Sequence, residues 1–200
     1  MKTRKLLLPI LLFAFLLPTA LMAQNPTEKG RFIFDTDFSL NWGSMTADDA
    51  WETEMDHRIA DFEFDFGYTI INDLEVGVRA SYDHNYLMVE NAFINMEETE
   101  NTLSYGIFAR YYFLDESKLK PFIGVSGGIG NMTMESTGAE DIEYKLTSIG
   151  GNAGLVYFFN QHFGIEVVYN IVNYTVKTEN PTVKSNGLQS HLALGVVVSF

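Results

Sequence analysis

Between positions 60 and 70 the chain alternates strictly: Ala60, Phe62, Phe64, Phe66, Tyr68 and Ile70 are interleaved with Asp61, Glu63, Asp65, Gly67 and Thr69. Successive side chains of a strand point to opposite faces, so this segment carries an aromatic wall on one side and an acidic wall on the other. A helix could not sort these residues so cleanly, because a period of 3.6 would spread the acids and phenylalanines around its circumference. One wall has to meet an apolar medium, and the other has to meet water or counter-charges.

Seven more segments repeat the pattern, giving eight strands. In the first, Phe32, Phe34, Thr36, Phe38, Leu40 and Trp42 oppose Ile33, Asp35, Asp37, Ser39 and Asn41. The third sets Leu74, Val76, Val78, Ala80 and Tyr82 against Glu75, Gly77, Arg79, Ser81 and Asp83. The fourth sets Leu103, Tyr105, Ile107, Ala109, Tyr111 and Phe113 against Ser104, Gly106, Phe108, Arg110 and Tyr112. The fifth runs from Pro121 to near Met132, the sixth from near Lys145 to Phe159, and the seventh carries Phe163, Ile165, Val167, Tyr169 and Ile171 over Gly164, Glu166, Val168 and Asn170. In the last, Leu188, Leu192, Leu194, Val196, Val198 and Phe200 share one face, and His191, Ala193, Gly195, Val197 and Ser199 the other.

Short turns at Asn72-Asp73, Asp115 to Lys120 and Asn160-Gln161-His162 alternate with longer polar connections near 43–57, 87–101, 133–144 and 177–187. In hydrocarbon every backbone N–H and C=O needs a partner, so a sheet crosses a membrane only by closing on itself. The layout therefore predicts an all-β fold, a transmembrane eight-stranded antiparallel up-and-down β-barrel with the short turns in the periplasm. The last strand is expected to pair with the first along Phe32 to Trp42. Aromatic girdles fall at Trp42, Tyr82, Tyr105 and Tyr169 on the loop side, and at Tyr111, Phe113, Phe159, Phe163 and Phe200 on the turn side. A soluble barrel of the opposite sense would have to bury a phenylalanine face from every strand, more than an eight-stranded interior holds.

The N-terminus agrees with export. Lys2, Arg4 and Lys5 precede an apolar run from Leu6 to about Met22, and Ala20-Leu21-Met22-Ala23 supplies small residues two positions apart. This predicts a cleavable signal peptide over 1–23 and one barrel domain over 24–200. Without that peptide the chain keeps 10 basic and 26 acidic residues, a net charge of −16. Such a balance argues against a nucleic-acid partner. The absence of cysteine excludes thiol catalysis, cysteine metal sites and an N-terminal lipid anchor.

Arg110-Tyr-Tyr-Phe, Lys120-Pro-Phe-Ile-Gly-Val-Ser-Gly-Gly-Ile-Gly, Phe158-Phe-Asn-Gln-His-Phe-Gly-Ile-Glu-Val-Val-Tyr and the terminal Val-Ser-Phe200 resemble the small porin-like outer-membrane β-barrel family. The resemblance spans essentially the whole mature chain. It implies an outer-membrane address and a terminal aromatic strand read by the barrel-assembly machinery, with Phe200 as the assembly signal. Its members include adhesion, host-interaction and membrane-stabilising proteins. It implies no catalytic residue and no cofactor.

The lumen is where a site would be built. Asp35, Asp37, Asp61, Glu63, Asp65, Glu75, Asp83 and Glu166 face Arg79 and Arg110, eight acids against two cations. One reading is a plug, in which each arginine bridges several carboxylates. The rival is a narrow cation-selective path, since rings of Asp and Glu favour cations. Two cations do not balance eight anions, so protons, cations or ordered water are expected among the acids. The inward glycines of strands five and six would leave one side roomy unless Phe108, Tyr112, Phe122 and Phe158 lean into it.

An enzyme reading rests on Asp49, Asp56-His57 and Asp83-His84, which could pair to activate water. His162 and His191 read as structural. The loops are acidic as well, and they suggest either a solvated surface or divalent cations linking the protein to lipopolysaccharide phosphates. Outer-membrane lipid and lipopolysaccharide are the expected surroundings, and the barrel is expected to act as a monomer in a structural or surface-interaction role.

Overall fold

The computed structural model describes residues 25–47, 53–90, 95–114, 117–136, 141–179 and 182–200, with side chains described except at 42–47, 53–55, 95, 178–179 and 182–184. The signal-peptide reading, the Trp42 girdle side chain and Asp49 fall outside the described residues. Eight strands follow one another: β1 (Phe32–Ala47), β2 (Thr53–Ile71), β3 (Leu74–Glu90), β4 (Asn95–Tyr112), β5 (Leu119–Ser136), β6 (Ile142–Phe158), β7 (Phe163–Glu179) and β8 (Thr182–Ser199). Each pairs antiparallel with its chain neighbours, and β8 returns to β1, closing the sheet as an up-and-down barrel.

Register sets the shape. Following paired residues from Asp35 around the sheet through Asp65, Arg79, Gly106, Gly128, Ser148 and Tyr174 leads to Gly187, while Asp35 itself pairs with Val197. The stagger is therefore ten residues, which at ordinary strand spacing means a tilt of about 40° and a radius of about 8 Å. A lumen that narrow is filled by side chains.

The inside-out sense is the one the alternation predicts. Phe64, Phe66, Ile107, Val125, Ile149 and Leu194 are exposed on the outer surface, while Asp35, Asp65, Glu75, Arg110 and Glu166 are buried inside. The girdle residues Tyr82, Tyr105, Tyr111, Phe113, Phe159, Tyr169 and Phe200 are all exposed. Phe163 is partly covered and stacks on Phe159 at 5.7 Å.

Inside, Ile33, Tyr112, Phe122, Val156, Phe158, Val168, Ala193 and Val197 form a buried apolar cluster. The aromatics do lean over the inward glycines. Gly154 pairs with Phe122 across the β5–β6 ladder, and a Cβ on Gly154 would lie 2.5 Å from the Phe122 ring and 2.5 Å from the Val167 carbonyl. The ring occupies the volume a side chain would take. Gly154→Val is expected to cost about 1–3 kcal/mol as overpacking, read as a lower urea midpoint of the refolded barrel.

Three sequence expectations need correction. The polar connections are much shorter than 43–57, 87–101, 133–144 and 177–187, because the strands run on to Ala47, from Thr53, to Glu90, from Asn95, to Ser136, from Ile142, to Glu179 and from Thr182. A strand of 17 residues at that tilt stands about 42 Å tall, against an apolar band of about 25 Å. Above the band both faces meet water, so alternation stops while the backbone ladder continues.

Lys120 is not a turn residue either: β5 starts at Leu119, and Lys120 is fully buried with Nζ 3.0 Å from Asp73. It shares parity with the inward Phe122, which was the available signal. Finally, β1 and β8 pair only from Ile33–Ser199 to Phe38–Leu194, short of Trp42.

The turn end is covered by the segment that precedes β1. Asn25 to Arg31 lies against the β2–β3 turn and the C-terminus: the Asp73 N–H donates to the Thr27 carbonyl, the Lys29 N–H to Asn72, and Arg31 Nε to Ser199 Oγ. Thr27 is fully buried, and its hydroxyl donates to Asp73.

Candidate functional site

Arg110 stands at the centre of the lumen. β4 turns it inward between Phe108 and Tyr112, and its guanidinium lies 4.4 Å from the Phe122 ring centroid. Nη1 donates to Asp35 at 2.5 Å and to Glu166 at 3.2 Å, and Nη2 reaches Asp65 at 3.5 Å. Asp35 comes from β1, Asp65 from β2 and Glu166 from β7, so one cation ties four strands that are far apart in sequence. Tyr112 extends the network by donating to Glu75 at 2.8 Å.

Arg79 is the second hub. Its Nε and Nη2 grip the two oxygens of Asp65 at 2.8 and 2.6 Å, and Nη2 also meets Glu63 at 3.0 Å. This two-point grip uses the planar fork that suits arginine to carboxylates. Asp65 thus joins the two arginines into one continuous network, which parity alone did not predict.

Toward the extracellular side the filling changes. A polar cavity of about 80 Å³ opens beside Asp37, Ser39, Asp61, Asp83, Ser104 and His191. Ser39 donates to Asp61 at 2.6 Å, and His191 Nδ1 stands 3.9 Å from Asp61 Oδ2. Leu146 and Tyr174, which pack with Met132, Tyr144 and Val176, line the cavity on the β6–β7 side. All ten of the charged residues expected inside therefore do face the lumen: six converge on the arginine network with Glu75 attached through Tyr112, and Asp37, Asp61 and Asp83 line the cavity.

Of the Asp/His candidates, Asp83 and His84 are parted by the sheet, while Asp56 and His84 border one groove on the outer surface. Asp83 lines the cavity, whereas His84 faces the outer surface and meets Asn101 Oδ1 at 2.8 Å. Neighbours on a strand point to opposite faces, so the sheet itself separates them. Among the described residues no group of three His, Asp or Glu side chains converges as a metal ion requires.

A closed eight-stranded sheet with an apolar exterior and a charged interior is the architecture of an outer-membrane barrel. The model of the outer membrane protein beta-barrel domain family matches residues 11–200. This chain belongs to that family. As an outer-membrane barrel it resembles solved structures along their whole length. Neisserial surface protein A is 18% identical, with 86% of this chain and 100% of that one covered at a TM-score of 0.55. The outer membrane protein OprG of Pseudomonas aeruginosa is 14% identical, with 88% and 99% covered and a TM-score of 0.55. The N-terminal β-barrel domain of Pseudomonas aeruginosa OprF is 14% identical, with 86% and 98% covered and a TM-score of 0.52. At these identities the likeness is one of fold. A comparison with curated protein sequences finds no match. The outer-membrane barrel therefore sits in the bacterial outer membrane, its apolar belt against lipid.

Proposed function

We propose that this barrel is a closed, non-conducting and non-enzymatic element of the envelope, one that stiffens the membrane and presents an acidic surface to partners outside the cell. The observation that carries the reading is the Arg110 hub, held by Asp35, Asp65 and Glu166 over the Phe122 ring. A cation entering from outside would have to displace a guanidinium bonded to three strands and then pass the apolar cluster of Tyr112, Phe122, Phe158 and Val197. Nothing of that size moves without loosening the fold.

The strand extensions supply the outer surface. Glu90 of β3, Glu97, Glu98 and Glu100 of β4 and Glu135 of β5 crowd the same rim. Hard divalent cations shared between these carboxylates and lipopolysaccharide phosphates would anchor the rim to its surroundings.

Planar-bilayer recording on the refolded full chain tests the plug. No stepwise conductance is expected from the native protein or from Asp61→Asn combined with Asp65→Asn. Steady cation-selective steps from the native protein that collapse in the double variant would replace this reading with a pore.

A further inference from the structure

The β1–β8 seam differs from every other ladder in the barrel. The other neighbouring strands pair over at least fourteen residues, as β6 and β7 do from Lys145–Lys177 to Phe158–Gly164. Pairing between β1 and β8 stops at Phe38–Leu194, although both strands continue toward the extracellular side, held there by β2 and β7. Continuing the same register would have joined Ser39 to Ala193, Leu40 to Leu192 and Asn41 to His191. Instead the facing edges part among outward leucines, Leu40 at 55%, Leu188 at 70% and Leu192 at 62% exposed.

An open strand edge at lipid depth is costly, because its N–H and C=O groups find no partner in hydrocarbon. It is tolerated where it borders a polar cavity. Here it does: Ser39 on one lip, and His191 and Ala193 on the other, line the cavity of about 80 Å³.

Asp37 and Asp61 face that cavity and are only 5% and 6% exposed, yet Oδ1 of each has no hydrogen-bond partner. Both arginines are already engaged with Asp35, Glu63, Asp65 and Glu166. Arg79 borders the cavity too, but it is held by Asp65 and Glu63, so Oδ1 of Asp37 and of Asp61 stays a buried acceptor without a hydrogen bond. Such an acceptor takes a proton, a water or a charged donor, and the charged donor makes the strongest bond. The space holds several water-sized groups, which suits a small head and not a sugar.

We infer that the parted β1–β8 seam is a lateral entrance from the outer leaflet, and that the cavity behind it binds the primary ammonium head of a single-chain amphiphile. The head donates to the free oxygens of Asp37 and Asp61. The tail leaves between the strands and lies on Leu40 and Leu192. The base stays sealed by Arg110 and Phe122, so binding does not make a pore.

The test uses the refolded full chain in neutral detergent and a dodecylammonium bearing a photoreactive diazirine on its chain, with dodecanol and dodecyl sulfate analogues as controls. After irradiation and peptide mapping, the amine is expected to label residues 39–41 and 188–193, with at least tenfold less label from either control. Asp37→Asn with Asp61→Asn should remove that label, while Asp56→Asn, an acid of the outer rim, should leave it. Label spread evenly around the barrel, equal label from dodecanol, or label surviving in the folded double variant would overturn the proposal. Should the double variant fail to fold, the map on the native chain decides: label confined to the seam supports the entrance, and label elsewhere refutes it.

Discussion

Replacing Arg110 with methionine is expected to destabilise the folded barrel by about 3–5 kcal/mol, the cost of leaving buried carboxylates without their counter-charge. The side chain is fully buried and holds Asp35, Asp65 and Glu166 at 2.5, 3.5 and 3.2 Å. Methionine matches much of its volume, so the loss reports charge and hydrogen bonding more than packing. Urea unfolding of refolded protein in vesicles measures it. Arg110→Lys should recover only part of the loss, because one ammonium cannot reach the three carboxylates and lie flat on Phe122 as the guanidinium does. Removing Asp35 and Glu166 as well, by Asp35→Leu and Glu166→Met, should restore much of the stability of Arg110→Met, since an apolar replacement of the whole buried group is close to neutral. A loss below about 1 kcal/mol for Arg110→Met would mean that water already fills this level of the lumen and that the plug is not one.

Ile107→Arg is expected to have the next largest effect, about 2–4 kcal/mol, from placing a charge near the midplane of the lipid-facing wall. Ile107 is 69% exposed and sits on β4 between the outward Tyr105 and Ala109, close to the middle of the apolar belt. The same substitution at Leu188, nearer the outer rim, should cost much less because an arginine there can reach the headgroups. The pair of values separates a lipid-covered wall from a water-covered one: on a soluble barrel both surface arginines would be within about 0.5 kcal/mol of neutral.

The same residues show how much of the architecture the amino-acid order carries. Period-two alternation is a direct record of two different media on the two faces of a strand, so wherever lipid meets a charged lumen it marks the strand and its orientation. That is why the sides taken by Phe64, Asp65, Ile107 and Arg110 could be read without coordinates. Where the medium is the same on both faces, the record stops. The strand extensions above the belt, β2 from Thr53 and β4 from Asn95 among them, are held by ladder hydrogen bonds that every residue type can make, so composition hardly reports them. Lys120 lies inside although Pro121 suggests a strand start after it, because its parity with Phe122 points it into the lumen.

The candidate site divides along the same line. That Asp35, Asp65, Glu166 and Arg110 all point inward followed from the order of residues alone, because parity is a local property of the chain. That a single guanidinium meets all three carboxylates depended on the ten-residue stagger, which brings β1, β2, β4 and β7 to one level and is a property of the closed sheet. The outer-membrane address, the eight strands and the charged interior were thus written in the sequence, since each is imposed residue by residue by solvent on one side and lipid on the other. Which acids are paired, where the cavity is left, and where β1 and β8 part were settled only by tertiary structure, because they depend on distances between strands that no local pattern contains.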